Sequence, residues 1–168
     1  MIFVKHVPVW VFFILAALLW LGLSARKNRW VRWRVPIIVP IAMTFMAVSS
    51  LVTQYLATDA LMPAVLAWLG VCGLTAWQLS RRPLPEAVLY IAESGKFHLP
   101  GSYVPLAMYL GIFAFKFMVG FMTGMHMPIV NDLLFVLGIS AIYGLFSGVF
   151  LSSAWRLAML RRQSLKLE

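Results

Sequence analysis

Five long runs of apolar residues, separated by short polar or basic segments, dominate the pattern of the chain. An α-helix crosses the roughly 30 Å hydrocarbon core of a bilayer with about 20 apolar residues. The pattern therefore predicts an all-α membrane protein, and its five predicted transmembrane helices lie at about residues 7–24, 35–56, 61–79, 103–122 and 133–154. Because the segments between the runs are short, we expect residues 1–168 to form a single integral membrane domain.

The connection between the third and fourth runs has the pattern of a β-hairpin. Two short β-prone runs flank the turn-forming pair Ser94-Gly95, and Glu93 is placed opposite Lys96. We therefore expect a short surface hairpin at about residues 87–100. Since an isolated hairpin is marginally stable in water, it should pack on the helix ends or on lipid headgroups.

The basic residues lie on one side of the predicted helices. Five of them fall in residues 26–34, three in residues 81–96 and four in residues 156–166, whereas Lys5 is the single basic residue of the segments on the other side. Loops rich in Lys and Arg stay in the cytoplasm. The sequence therefore predicts an outside N-terminus, a cytoplasmic C-terminus and a cytoplasmic hairpin.

Composition supports a membrane protein and accounts for the positive charge. The chain is 62% hydrophobic and 11% charged, with a formal net charge of +9. A soluble domain has about a quarter of its residues charged. Because the basic residues sit between apolar runs, topology explains them, and no nucleic-acid partner is expected.

The first connection interleaves basic and indole side chains. Such a stretch suits an anionic leaflet, where Trp rings occupy the headgroup region. It serves either as a topology signal alone or as a lipid-recognition segment. The expected lipid-headgroup contacts are Arg26, Lys27, Arg29, Trp30, Arg32, Trp33 and Arg34.

A lysine inside the fourth predicted helix marks a candidate intramembrane polar site. Lys116 either snorkels toward the outer surface or forms an ion pair, or it serves a ligand, ion or proton. The expected partner in an ion pair is Asp132, and Asp59 is the alternative. Hydroxyls at helical spacing on the fifth predicted helix could complete a polar seam, although such groups mostly bond to backbone or to a neighbouring helix. The candidate site comprises Lys116, Asp132, Tyr109, Ser140, Tyr143 and Ser147.

Two pairs of glycines have the four-residue spacing that lets transmembrane helices approach closely. Gly120 and Gly124 form one pair, and Gly144 and Gly148 form the other. The spacing suits packing within one chain or between two copies. A homodimer is therefore one of the arrangements that we consider.

Other reactive residues do not form a recognisable site. Cys72 lies inside an apolar run, where a packing role is expected, and the three histidines are scattered along the chain. The sequence lacks Walker A, HExxH and GxSxG motifs, and its five acidic residues do not cluster. We therefore expect no catalytic residues, no bound metal and no cofactor.

The segment from Glu93 to Leu106, together with Gly111–Phe117 and Gly120, resembles an uncharacterised family of small bacterial inner-membrane proteins, a domain of unknown function. More faintly it resembles the CcdC-like proteins, in which a short surface hairpin also enters a helix with a buried base. The resemblance implies a bacterial inner membrane and an important Lys116. It supplies no reaction, and the chain lacks the paired cysteines of a thiol carrier.

We therefore expect a multi-pass protein of the bacterial inner membrane that acts, without catalysis, as an assembly or interaction subunit. Its expected partners are the lipid bilayer with its anionic cytoplasmic headgroups and either a second copy or another membrane protein. The alternative is a small transporter or channel component with a solute or ion site near Lys116.

Overall fold

The computed structural model describes residues 9–85 and 87–165. These residues form five α-helices and a small three-stranded antiparallel sheet, with a 3₁₀ helix at Pro128–Asn131. The helices are α1 (Val9–Ser24), α2 (Val35–Tyr55), α3 (Leu61–Ser80), α4 (Val104–Gly124) and α5 (Leu133–Ser164), and the strands are β1 (Arg29–Arg32), β2 (Leu89–Ile91) and β3 (Lys96–Leu99).

Each apolar run forms a helix, as the sequence predicts. Helices α2, α3 and α4 begin and end within one or two residues of the predicted bounds. Helix α1 ends at the predicted Ser24, and the predicted start at residue 7 lies outside the described residues. Four of these helices, α2 to α5, are long and apolar enough to cross a membrane, and α1 is a shorter apolar helix.

The prediction that the fifth helix ends near residue 154 is wrong, because α5 continues to Ser164. Its 32 residues span roughly 48 Å at 1.5 Å per residue, which exceeds the thickness of a bilayer core. Within the last ten residues Leu157 is buried and Arg162 is exposed. Apolarity marks where a span ends, but Leu, Ala, Met and Arg are strong helix formers, and they continue the helix beyond that point.

The predicted hairpin is present. Strands β2 and β3 pair antiparallel, with Tyr90 opposite Phe97 and Ile91 opposite Lys96. Glu93 is not opposite Lys96 as expected, since the connection is a four-residue turn that includes Glu93. The Gly95 N–H closes that turn on the Ala92 carbonyl at 3.1 Å, and Gly95 has a φ of +61°, which suits glycine.

A third strand, β1, was not predicted. It lies beside β3, so the strand order is β1-β3-β2. The chain leaves the sheet through Trp33, whose N–H donates to the Gly95 carbonyl at 3.2 Å. The alternating basic and aromatic residues of this segment therefore form a strand at the edge of the hairpin, and Phe97 of β3 is fully buried.

The described residues divide into two compact units. One unit, here called the α1/α4 unit, comes from Met1–Arg29 and Pro100–Met125. Its two helices are antiparallel, since the end of α1 meets the beginning of α4. The Ser102 N–H donates to the Ala25 carbonyl at 2.9 Å, and the Gly101 N–H donates to the Asn28 side-chain oxygen at 2.9 Å.

The other unit, here called the α2/α3/α5 unit, comes from Trp30–Leu99 and His126–Glu168. Its main helix contact joins α3 and α5, which run parallel. Gly144 lies against the backbone of Trp68 and Cys72, and Gly148 lies one turn further along, against Cys72 and Ala76. The absence of a glycine side chain lets the two backbones approach closely.

Large apolar side chains cover the outside of both units. Phe13 of α1 and Phe45 of α2 are each 72% exposed, and Leu134 of α5 is 78% exposed. Apolar patches larger than a few hundred Å² are rare on soluble monomers and mark contact with lipid or with another protein. These helices therefore have surfaces suited to a bilayer.

Candidate functional site

The hydroxyl groups predicted to form a seam lie on one buried face of α5. Ser140 is fully buried, Ser147 is 2% exposed and Tyr143 is 5% exposed. Their spacing of three and four residues places them on the same side of the helix. Gly144 and Gly148 share this face, so the seam lies along the contact with α3.

One seam hydroxyl has a defined partner on α3. The indole Nε1 of Trp68 donates a hydrogen bond to the Ser147 hydroxyl oxygen at 3.2 Å. Sequence analysis did not identify Trp68 as part of the seam. The sequence does contain a signal for Trp68. An indole N–H within an apolar run needs an acceptor, and a serine on a neighbouring helix is a common one.

The seam thus has the geometry of a packed helix contact. Among the described residues, the buried Ser140 hydroxyl has no hydrogen-bond partner, whereas Ser147 is bonded across the interface. Gly144, which lies between them in sequence, contacts the α3 backbone directly. A ligand role for these residues stays a prediction.

The remaining candidate polar residues lie on separate elements. Lys116 and Tyr109 are half-buried on α4, in the α1/α4 unit. Lys116 lies eight residues before the end of that helix at Gly124, roughly 12 Å along its axis. Asp132 is exposed and caps the N-terminus of α5, where one of its carboxylate oxygens accepts a hydrogen bond from the Leu134 N–H at 3.1 Å. The pairing of Lys116 with Asp132 stays a prediction.

The predicted headgroup segment is divided between the two units. Arg26, Lys27 and Arg29 belong to the α1/α4 unit, where the Arg26 guanidinium lies 4.8 Å from the centre of the Tyr103 ring. The other four residues belong to the α2/α3/α5 unit. There the Trp30 ring lies 4.8 Å from the ring of His98.

Basic side chains from distant parts of the sequence meet in the α2/α3/α5 unit. The Trp33 ring has the Arg161 guanidinium 3.9 Å from its centre and the Arg34 guanidinium at 5.5 Å. A distance of this size is typical of a cation–π contact. Sequence analysis placed Trp33 and Arg34 at the headgroups but did not connect them to the end of α5.

A second basic group surrounds the end of α3. The Arg81 guanidinium lies 3.8 Å from the centre of the Trp77 ring. Arg156 of α5 donates through Nη1 to the Arg82 carbonyl at 3.4 Å. Helices α3 and α5 thus bring their basic residues to the same end of the unit.

Metal-ligating side chains are not grouped within residues 9–85 and 87–165, where no set of three or more His, Cys, Asp or Glu side chains is placed to hold an ion. Cys72 is buried in the contact between α3 and α5, where its backbone faces Gly144 and Gly148. It packs there as a small apolar residue.

The fold is therefore that of a mostly helical protein with four helices suited to a membrane and a small antiparallel sheet. The chain matches the family of unknown function DUF6622 over residues 1–166 and belongs to it. This confirms the expected membership of an uncharacterised family. No curated protein and no solved structure matches the chain.

Proposed function

We propose that this chain is an integral protein of the bacterial inner membrane that acts, without catalysis, as an interaction subunit. Its membrane face consists of the exposed apolar side chains of α1 to α5, and four of these helices are long enough to cross the bilayer. Lipid or a partner helix must cover such surfaces.

The proposed orientation, in which α1 is the fifth helix to cross the membrane, places the N-terminus outside and the C-terminus in the cytoplasm. The basic ends of α3 and α5 lie together, and Arg34 precedes α2 at the same end of the unit. The connection between α2 and α3 contains Asp59 and no basic residue. The positive-inside rule assigns the basic end to the cytoplasm.

The observation that carries the interaction role is a difference between the two glycine pairs. A Cβ atom on Gly144 would lie 2.5 Å from the Trp68 carbonyl oxygen, and one on Gly148 would lie 2.7 Å from that of Cys72. Within the described part of their own unit, Gly120 and Gly124 have no atom within 4 Å of the corresponding position. The first pair contacts α3 within the chain, whereas the second has open space within the described part of its own unit, and we propose that it contacts another helix.

The partner that this surface fits is a second copy of the chain. A helix face with small residues four apart is self-complementary, because each copy offers the groove that the other enters. Gly120 and Gly124 are both on α4, with the exposed Phe117 and Phe121 beside them. Two α4 helices could therefore pack their backbones closely and bury these rings together.

Co-purification of two differently tagged full-length copies, expressed together in bacterial membranes and extracted in mild detergent, tests the proposal. We expect wild-type copies to co-purify and the Gly120→Leu/Gly124→Leu variant to lose this association, because the leucines fill the close-approach groove. Val104→Phe is the matched control, since Val104 is exposed on the opposite side of the same helix from the two glycines and should tolerate the added volume.

The outcomes separate the candidate functions. Retained co-purification of the double-glycine variant would exclude the α4 face as the contact between copies. Recovery of a different membrane protein, lost in the same variant, would identify a heterologous partner. A transporter role near Lys116 would be favoured if a solute protected the detergent-solubilised chain from heat and Lys116→Met abolished the protection.

A further inference from the structure

An apolar groove lies among α2, α3 and α5, within the α2/α3/α5 unit. Its volume is about 460 Å³, which falls in the range of about 300–1,000 Å³ that is usual for ligand sites. The lining includes Ile37, Ile41, Ala76, Trp77, Leu151 and Ala158. The Ser152 hydroxyl at its edge donates to the Val149 carbonyl at 2.9 Å, so the groove presents mainly hydrocarbon.

The groove lies at the end of the unit where α2 begins and α3 ends. Arg81 covers the Trp77 ring, which is part of the lining. Arg156 lies one helical turn beyond Ser152 and reaches the Arg82 carbonyl at the end of α3. Guanidinium groups therefore lie next to the apolar lining at this end of the groove.

A second pair of arginines approaches the groove from α2 and α5. Arg34 precedes Ile37 by three residues, and Arg161 follows Ala158 by three, which is about one turn in each case. Both guanidinium groups lie over Trp33. Together with Arg81 and Arg156 they form what we call the arginine rim of the groove.

The arginine rim has unused hydrogen-bonding capacity. The Nε atoms of Arg156 and Arg161 are buried, and neither has a hydrogen-bond partner among the described residues. A buried donor without an acceptor is unfavourable, as is the crowding of like charges. An anion with several oxygens would offset both effects, and guanidinium groups match the geometry of a phosphate.

We propose that the groove binds one anionic phospholipid, with an acyl chain between α2, α3 and α5 and its phosphate at the arginine rim. The proposal rests on the membrane location and orientation given above, which place the rim at the cytoplasmic leaflet. Basic sites next to apolar helix surfaces on this side are known to hold anionic headgroups. The combination of a long apolar groove with a cationic end matches an amphiphile better than it matches a free ion.

The test is native mass spectrometry of the detergent-solubilised full-length chain with phosphatidylglycerol or phosphatidylcholine of identical acyl chains. We expect one phosphatidylglycerol per chain, retained in clear preference to phosphatidylcholine. Arg156→Gln/Arg161→Gln should weaken retention by roughly tenfold or more, since two charge-assisted contacts are lost. Ala158→Trp, which fills the groove without changing charge, should weaken it similarly.

Lys96→Gln is the matched charge control, because Lys96 is exposed on β3 and should leave retention unchanged. Equal binding of the two lipids, or full retention by both groove variants, would overturn the proposal. Competition by inorganic phosphate at the same concentration as the lipid would also overturn it, by showing a free-ion site. Carbonate extraction of membranes checks insertion separately, so an inserted chain without lipid preference would refute this site alone.

Discussion

The indole N–H of Trp68 donates to the Ser147 hydroxyl at 3.2 Å, and this bond joins α3 and α5, whose backbones approach closely at Gly144 and Gly148. Trp68→Phe keeps the apolar ring contact but removes the donor. We expect it to lower the free energy of unfolding in detergent by about 0.5–1.5 kcal/mol. Thermal unfolding measures the loss, and Trp20→Phe, at a residue that is 70% exposed on α1, is the neutral control. Equal losses for both variants would show that the bond contributes nothing specific.

The close approach of α5 to α3 makes Gly148 intolerant of a side chain. Gly148→Ala places a Cβ about 2.7 Å from the Cys72 carbonyl oxygen, so the backbones must separate. We expect the free energy of unfolding, measured by thermal unfolding in detergent, to fall by about 1–3 kcal/mol. Gly138→Ala on the same helix has open space and should be neutral or stabilising by up to about 1 kcal/mol. Identical stabilities would contradict the packing of the two helices.

The carboxylate of Asp132 caps the N-terminus of α5. Asp132→Ala removes the acceptor for the Leu134 N–H and should cost about 0.5–2 kcal/mol. Asp132→Asn retains an oxygen at the same place and should cost clearly less, since Asn caps helices as well as Asp does. Thermal unfolding of the two variants separates the contribution of the capping hydrogen bond from that of the negative charge. An equal loss in both would indicate that the negative charge, and hence an ion pair, matters more than the cap.

The turn of the hairpin requires glycine for its backbone conformation. Gly95 has a φ of +61°, and a Cβ there would meet Trp33 only at an ordinary contact distance of 3.8 Å. Gly95→Val should therefore destabilise the turn by about 1–2 kcal/mol through backbone strain. Gly95→Asn should be tolerated better, because Asn adopts positive φ more readily. The rate of limited proteolysis near Lys96 measures the stability of the turn in the two variants. Equal cleavage rates would refute the requirement for a positive φ.

The proposed orientation predicts which side of the membrane each loop faces. In a Cys72→Ser background, a cysteine at position 59 should react with an impermeant reagent added outside, and one at position 29 should react only after the membrane is opened. The basic residues near position 29 and the acidic loop at Asp59 are the reason. External labelling at position 29 would contradict the proposed orientation.

The sequence predicted the helices because long apolar runs have few alternatives in a bilayer, and it predicted the hairpin because Ser94-Gly95 is a strong turn signal. It did not predict β1, since Arg29–Arg32 becomes a strand by pairing with β3, which is about 65 positions further along the chain. It placed Ser140, Tyr143 and Ser147 on one face, because residues spaced three and four apart share a side of an α-helix. Their neighbour Trp68 could not be found from the period alone, because helix pairing is a tertiary property.

The arginine rim illustrates the same limit. The alternation of basic and indole residues predicts that Trp33 and Arg34 lie at the headgroups, whereas the sequence shows Arg161 only as one of four basic residues in positions 156–166. Only the continuation of α5 brings Arg161 to the face of Trp33. Long-range contacts of this kind depend on where a helix ends, which is the least certain feature of a sequence pattern.

The parallel arrangement of α3 and α5 has a consequence for the synthesis of the chain. Trp68 and Ser147 are 79 positions apart, so the ribosome adds the acceptor roughly 4–16 s after the donor at about 5–20 residues per second. During that interval α3 is present without its main packing partner, and the entire α4 segment has to be made. Until α5 has been made, other groups must cover the face of α3 that α5 later contacts. A chain truncated before α5 would leave the Trp68 indole N–H without its Ser147 acceptor and would uncover the α3 backbone that Gly144 and Gly148 contact in the finished protein.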